Sequence, residues 1–248
     1  MIISHSKKFI YVHIPKTGGT SIEMGLAPIL GWNDLILGST ELGDTMNGPY
    51  RRQFGLFDHC TVDDIASVCG AEIFDDYFSF TVVRHPVERA MSSFNYFGRM
   101  CWYPCNAFNI NLDTLRQTMI GAPEDDPTRS EYIGRFPFLS WGVIAAFLEA
   151  KDFSTFIRHP ITLSDPTFFP QTEFVCSLDG DMKLDEIVKL EELHRFLPRL
   201  SRKLGEAVTI GHENRSRRKL VSAETIGADD KLYLQQYFTQ DFLAFEYE

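Results

Sequence analysis

The run KFIYVHIPKTGGTSIEMGL, residues 8–26, constrains this chain more than any other stretch. The β-rich apolar residues Phe9 to Ile14 predict a strand, a tight Pro-Lys-Thr-Gly-Gly-Thr-Ser loop follows, and the next residues read as a helix. Strand, glycine loop and helix in that order make an anion cradle. Glycine lets the backbone approach a phosphate closely, and the N–H groups at a helix start carry partial positive charge. Lys16 adds a full charge at the mouth, and the hydroxyls of Thr17, Thr20 and Ser21 can donate further hydrogen bonds.

Such a loop suits the 5′ end of an activated nucleotide. It is not the triphosphatase loop G-x-x-x-x-G-K-[ST], because here the lysine precedes the glycines. The dinucleotide pattern G-x-G-x-x-G is absent from it. An ordinary strand-to-helix turn is the plain alternative. HIPKTGGTS, residues 13–21, resembles the 5′-phosphosulfate loop of sulfotransferases, especially the carbohydrate branch (sulfotransferase family 2). The resemblance implies 3′-phosphoadenosine 5′-phosphosulfate as donor. It sets Lys16 against the bridging oxygen and phosphosulfate, with Gly18, Gly19, Thr20 and Ser21 around the 5′-phosphate and Thr17 within the same loop.

A second motif lies in residues 77–97, YFSFTVVRHPVERAMSSFNYF. Tyr77 to Val83 read as a buried strand, and Pro86 suits the first turn of a helix. Val87, Ala90, Met91, Phe94 and Phe97 then repeat at helical spacing. Arg84 ends the strand, where α/β sheets bind ligands. An Arg followed eight residues later by Ser matches the family's 3′-phosphate clamp, so the resemblance implies Arg84 and Ser92 for that role. Arg supplies a forked, permanent charge for phosphate oxygens. Arg89 and Ser93 are neighbours easily confused with that pair, and an ion pair to Glu88 is the other reading of Arg84.

His59 sits in FDHCTVDDIASVCG, residues 57–70, just before a short helix capped by Thr61 and ended by Gly70. The resemblance implies His59 as the base that takes the acceptor proton, and imidazole titrates in the right range. A structural or merely exposed histidine is the plainer reading. Residues 28–58 predict an irregular excursion, with Arg51 and Arg52 as a basic pair. Residues 98–142 are rich in aromatic side chains interrupted by prolines. Either stretch can line an acceptor pocket, or serve as loop and core.

Residues 168–193 resemble the family's later block: a strand over Thr172 to Leu178, a turn at Asp179-Gly180, and a strand over Ile187 to Leu190. Gln171 faces the acceptor or the solvent. Leu193, Phe196, Leu197, Leu200 and Leu204 make an amphipathic helix. Residues 195–220 hold eight Lys or Arg against two acids, a local excess of +6 in a chain of net charge -10. Within it, HENRSRRKL resembles the family's Asn-x-Ser loop, which implies Arg215 and Arg217 at the 3′-phosphate or adenine. A basic exposed loop is the alternative. A capped helix is expected from about Asp229.

A chain of 248 residues predicts a single sulfotransferase domain spanning 1–248. The fold implied is α/β, a P-loop NTPase-like parallel sheet flanked by helices. The acidic balance disfavours nucleic acid and anionic membrane as partners and points to a neutral or small acceptor; that it bears a hydroxyl and is most readily a glycan is what the resemblance implies. Five cysteines without a C-x-x-C pair read as reduced thiols, and no metal is required by these residues. No secretory signal or membrane-length apolar stretch is evident, which fits a soluble, cytoplasmic, bacterial-type enzyme or a Golgi-lumenal piece lacking its anchor. The competing functions are a nucleotide-dependent kinase on the same fold, for which Mg²⁺ ligands and a lysine after the glycines cannot be placed, and a non-catalytic nucleotide-binding module.

Overall fold

A computed structural model describes residues 1–211 and 219–248. These fall into two compact units, one of residues 1–86, 170–211 and 238–248, the other of residues 87–169 and 219–237.

The first unit is built on a five-stranded sheet. Its strands are β1 (Ile2–Ser4), β2 (Phe9–Val12), β3 (Leu35–Ile36), β4 (Phe78–Val83) and β5 (Glu186–Lys189), in spatial order β3-β1-β2-β4-β5. The expected parallel arrangement holds for β2, β4 and β5, with Val12 opposite Thr81 and Thr81 opposite Ile187. The sheet as a whole is mixed, because β1 runs antiparallel to both β2 and β3. The five residues from Ser4 to Lys8 leave room only for a turn, which forces the antiparallel pairing; a parallel neighbour needs a longer crossover.

Alternation along β2 divides the core. Phe9 and Tyr11 join Ile22, Leu26, Phe80, Phe196 and Leu200 on one face. Ile10 and Val12 join Leu56, Val62, Ile65 and Phe74 on the other. Side chains of a strand point alternately to opposite faces, so burial of all four β2 residues requires helices on both sides. Helix α1 (Gly19–Leu26) and the helix Leu193–Leu204 cover the first face; α3 (Val62–Cys69) and α4 (Ala71–Asp76) cover the second.

Two local expectations fail for identifiable reasons. Residues 28–58 contain a 14-residue helix, α2 (Glu41–Phe54). Gly43, Gly48 and Pro49 hide it from a propensity reading, yet Thr40 caps its start by accepting from the Gly43 N–H and Gly55 closes it at φ 75°. Arg51 and Arg52 form its exposed last turn, with Arg51 lying 5.1 Å over the Phe57 ring. The strand expected over Thr172–Leu178 is a short helix, Thr172–Val175. Its first N–H groups are satisfied by the carboxylate of Asp241, far away in sequence: Gln171 N donates at 2.9 Å and Thr172 N at 3.0 Å. No local sequence signal carries a cap supplied from 70 residues away.

The second unit is helical. Its longest element, α5 (Pro86–Phe108), runs through Pro104 rather than ending there. Phe94 packs against Phe147, Phe153 and Phe156 at centroid separations of 5.1–5.5 Å, and Phe156 reaches Phe97 and Phe168. Phe97 and Tyr132 therefore belong to the core, while Tyr103 and Trp141 stay exposed. Among the described residues, no helix is long and apolar enough to cross a membrane.

Candidate active site

The anion loop leaves β2 at Val12 and enters α1 at Gly19. Lys16 has φ 68° and Gly18 φ 88°, both left-handed. For lysine that conformation is uncommon and costs energy, so a tight loop is holding it there. The Thr17 hydroxyl is buried and donates to the Ile14 carbonyl at 2.9 Å, so it braces the turn instead of facing outward. Gly18 caps α1, accepting from Ser21 N at 3.0 Å. No acidic side chain lies in the first turn, which leaves the positive end of the helix available to an anion. Thr20 and Ser21 are partly exposed, and Thr20 Oγ1 accepts from the Ser39 hydroxyl.

His13, the last residue before the loop proper, was not singled out in the sequence, yet it organises the loop. Its ring is buried and lies against Gly19, where an added Cβ would fall 1.8 Å from Nε2. Its Nδ1–H donates to Glu23 Oε1 at 2.8 Å. Glu23 is fully buried and also accepts from the Met1 amino group and Ser39 N. Burial alone would raise the Glu23 carboxyl, but His13, the Met1 amino group and their hydrogen bonds hold it well below the usual carboxylate range.

His59 joins this cluster from the segment that precedes α3. Thr61 and Asp64 form a reciprocal capping box that fixes the start of that helix. The His59 ring meets His13 edge-on at 4.5 Å, and its Nδ1 lies 3.0 Å from the His13 carbonyl. A carbonyl cannot donate, so Nδ1 carries the proton and Nε2 keeps its lone pair. Burial, then the neighbouring His13, push the His59 pKa down to about 4, against an opposing pull from Asp58. His13, Asp58 and His59 offer ligand atoms within 4.8 Å of one another. Within that cluster Nδ1 of His13 is engaged by Glu23, and its Nε2 lies beside Gly19.

Arg84 follows β4, the parallel neighbour of β2, so the segments carrying Lys16 and Arg84 leave the same C-terminal end of adjacent strands. Its backbone is clamped by Gln171, whose Oε1 accepts from Arg84 N at 2.8 Å and whose Nε2 donates to Arg84 O at 2.9 Å. Gln171 is fully buried and bonded in turn to Asp241. It thus faces neither acceptor nor solvent and instead holds Arg84 in place. Asp241→Ala would strand several buried donors, and a loss of roughly 2–4 kcal/mol is expected in urea unfolding, from the desolvation cost of unpaired groups. A change below about 0.5 kcal/mol would show that the lock carries no weight.

The family model described as the Sulfotransferase family matches residues 1–248. The chain belongs to the sulfotransferase family. No curated protein and no solved structure matches it. Family membership makes this chain a sulfotransferase with the α/β fold of that family, a five-stranded mixed sheet flanked by helices.

In this sulfotransferase, Arg89 and Ser93 are separated from the neighbouring candidates Arg84 and Ser92. Arg89 is buried and donates to the Thr167 and Phe169 carbonyls; the Ser93 hydroxyl donates to the Arg89 and Thr167 carbonyls. Both are core struts of the second unit. Ser92 lies on α5, partly exposed. One turn further on, Asn95 is buried and binds Leu220 N and both backbone groups of Val221. Gly98 provides room beside it, since a Cβ there would fall 2.4 Å from Leu220. Arg215 and Arg217 lie outside the described residues. All five thiols are free; burial pushes Cys60 up to about 11 and Cys101 up to about 12, the opposite of what a reactive thiolate needs.

Proposed function

We propose that this sulfotransferase moves the sulfuryl group of 3′-phosphoadenosine 5′-phosphosulfate to a hydroxyl of a carbohydrate. Sulfotransferases as a family use that donor. The observation that supports the reading is that the segments bearing Lys16 and Arg84 leave the C-terminal ends of adjacent parallel strands, with His59 bonded to the His13 carbonyl just past the first. Donor phosphates meet Gly18, Gly19, Thr20 and Ser21 at the start of α1, and Lys16 offsets the charge on the leaving phosphate. His59 takes the acceptor proton. The reaction parallels phosphoryl transfer, an in-line displacement that depends on positioning and charge stabilisation. Ser92, Arg215 and Arg217 enter the donor site on the sequence resemblance alone, and the family match over 1–248 supports one catalytic domain. The net charge of -10 favours a neutral glycan over a heavily sulfated one.

Sulfur-labelled donor offered to neutral oligosaccharides, phenols and aliphatic alcohols tests the reading. Label on a saccharide is expected; label confined to phenols would remove the carbohydrate assignment. Arg84→Ala is expected to weaken adenosine 3′,5′-bisphosphate binding by about 2–3 kcal/mol, the worth of a charge-assisted pair. An unchanged dissociation constant would take Arg84 out of the site.

A further inference from the structure

Asp58 is assigned nothing by the function above, yet its carboxylate oxygen Oδ2 stands 3.4 Å from Nε2 of His59. Both side chains are about one quarter exposed, so solvent reaches the pair. The His13 carbonyl occupies Nδ1–H at 3.0 Å, which leaves Nε2 as the atom that accepts a proton. In the resting ring Nε2 has no proton, and 3.4 Å to a carboxylate is a proximity without a hydrogen bond. Once Nε2 is protonated, the same proximity becomes an ion pair.

We propose that Asp58 is a positioning residue that pairs with the imidazolium of His59 formed during sulfuryl transfer. This rests on His59 acting as the base. In the step, the acceptor O–H bond breaks and its proton goes to Nε2. The oxygen electron pair forms the new O–S bond. The S–O bond to the donor phosphate breaks with its electrons on the bridging oxygen, releasing adenosine 3′,5′-bisphosphate. The new Nε2–H then faces Asp58, and the proton passes to solvent.

The surroundings of His59 make such a partner necessary. His13 on the end of β2 and the Met1 amino group at the start of β1 both disfavour a charged ring, as does burial. Glu23 on α1 is engaged by His13 and Met1. Among the described groups that act on His59, the Asp58 carboxylate favours the charged ring, seconded by the hydrogen bond to the His13 carbonyl. An isolated imidazolium here would form only at high cost; the carboxylate raises the basicity of Nε2.

The test uses the full chain labelled at histidine. At neutral pH, long-range ¹⁵N–¹H spectra read the His59 tautomer, and the Nδ1–H form is expected. In Asp58→Asn the His59 titration should move down by about one pH unit, since a carboxylate at this distance accounts for a shift of that order. Asp58→Glu should restore part of it. Turnover of labelled donor with a neutral oligosaccharide acceptor should fall about tenfold in Asp58→Asn, with the dissociation constant of adenosine 3′,5′-bisphosphate within about twofold. An Nε2–H tautomer in the resting protein would overturn the proposal. So would an unmoved titration, or a turnover loss matched by an equal loss of bisphosphate binding. If the bisphosphate fails to bind wild-type protein at all, the donor assignment fails, whereas the tautomer and titration still judge the pair.

Discussion

His59→Asn is expected to lower kcat about 10²–10⁴-fold, the usual worth of a positioned general base, while adenosine 3′,5′-bisphosphate affinity stays within about twofold. The expectation rests on the 3.0 Å contact that fixes Nδ1–H on the His13 carbonyl and leaves Nε2, 3.4 Å from Asp58, as the proton acceptor. The proposed role gives the ring no part in phosphate binding, so the two readouts separate. A nucleotide-binding module without catalysis has no turnover to lose. The pH profile adds a sign. In the proposed role His59 acts as a base when neutral, that is, above its pKa. With that value lowered to about 4, kcat/KM should run flat through pH 6.5 and fall only as pH approaches 4. The same shift acts on stability. The unfolded chain binds the His59 proton below about 6.5 and the folded chain resists it down to about 4, so stability should decline as pH falls through that window. A pH–rate limb centred near 6.5 would contradict the half-buried, His13-flanked placement.

Gly19→Ala is expected to weaken bisphosphate binding by about 3 kcal/mol, more than a hundredfold, the upper range of overpacking costs. The added Cβ would fall 1.8 Å from Nε2 and 2.0 Å from Cδ2 of His13. The ring has no slack, because it is buried and its Nδ1 is held by Glu23, itself fixed by the Met1 amino group and Ser39 N. The phosphate loop must move instead. Gly18→Ala is a useful contrast. Its Cβ would meet only the Leu190 side chain at 3.1 Å, though φ is +88°. The left-handed backbone costs about 1–2 kcal/mol with a side chain present. Calorimetric titration should therefore rank Gly19→Ala as the more damaging of the two, and the reverse order would mean that His13 yields.

Much of this was legible in residues 8–26 and 77–97. Runs of β-branched and aromatic apolar residues marked β2 and β4, Gly18 and Gly19 marked the turn, and Pro86 marked the start of α5. Thr61 and Gly70 bounded α3 because capping is local chemistry. What escaped was nonlocal. Gln171 and Asp241 act on Arg84 and on a helix start across 70 or more residues, and neither residue type announces such a role. His13 reads as any strand-end histidine until Glu23 and Gly19 are seen beside it. Asp58 is adjacent to His59 in sequence, but its value lies in a distance of 3.4 Å that adjacency does not imply. In α2, glycines and a proline spoke against helix, while caps at both ends outweighed them.

The most direct measurement is calorimetric titration of the wild-type protein with adenosine 3′,5′-bisphosphate and, separately, with ATP, in the absence of added metal. A loop with Lys16 ahead of its glycines, and an arginine at the end of the neighbouring strand, should take the bisphosphate more tightly, and Lys16→Ala and Arg84→Ala should each weaken it at least tenfold. ATP binding tighter than the bisphosphate, or a bisphosphate affinity indifferent to both substitutions, would contradict the donor site described here.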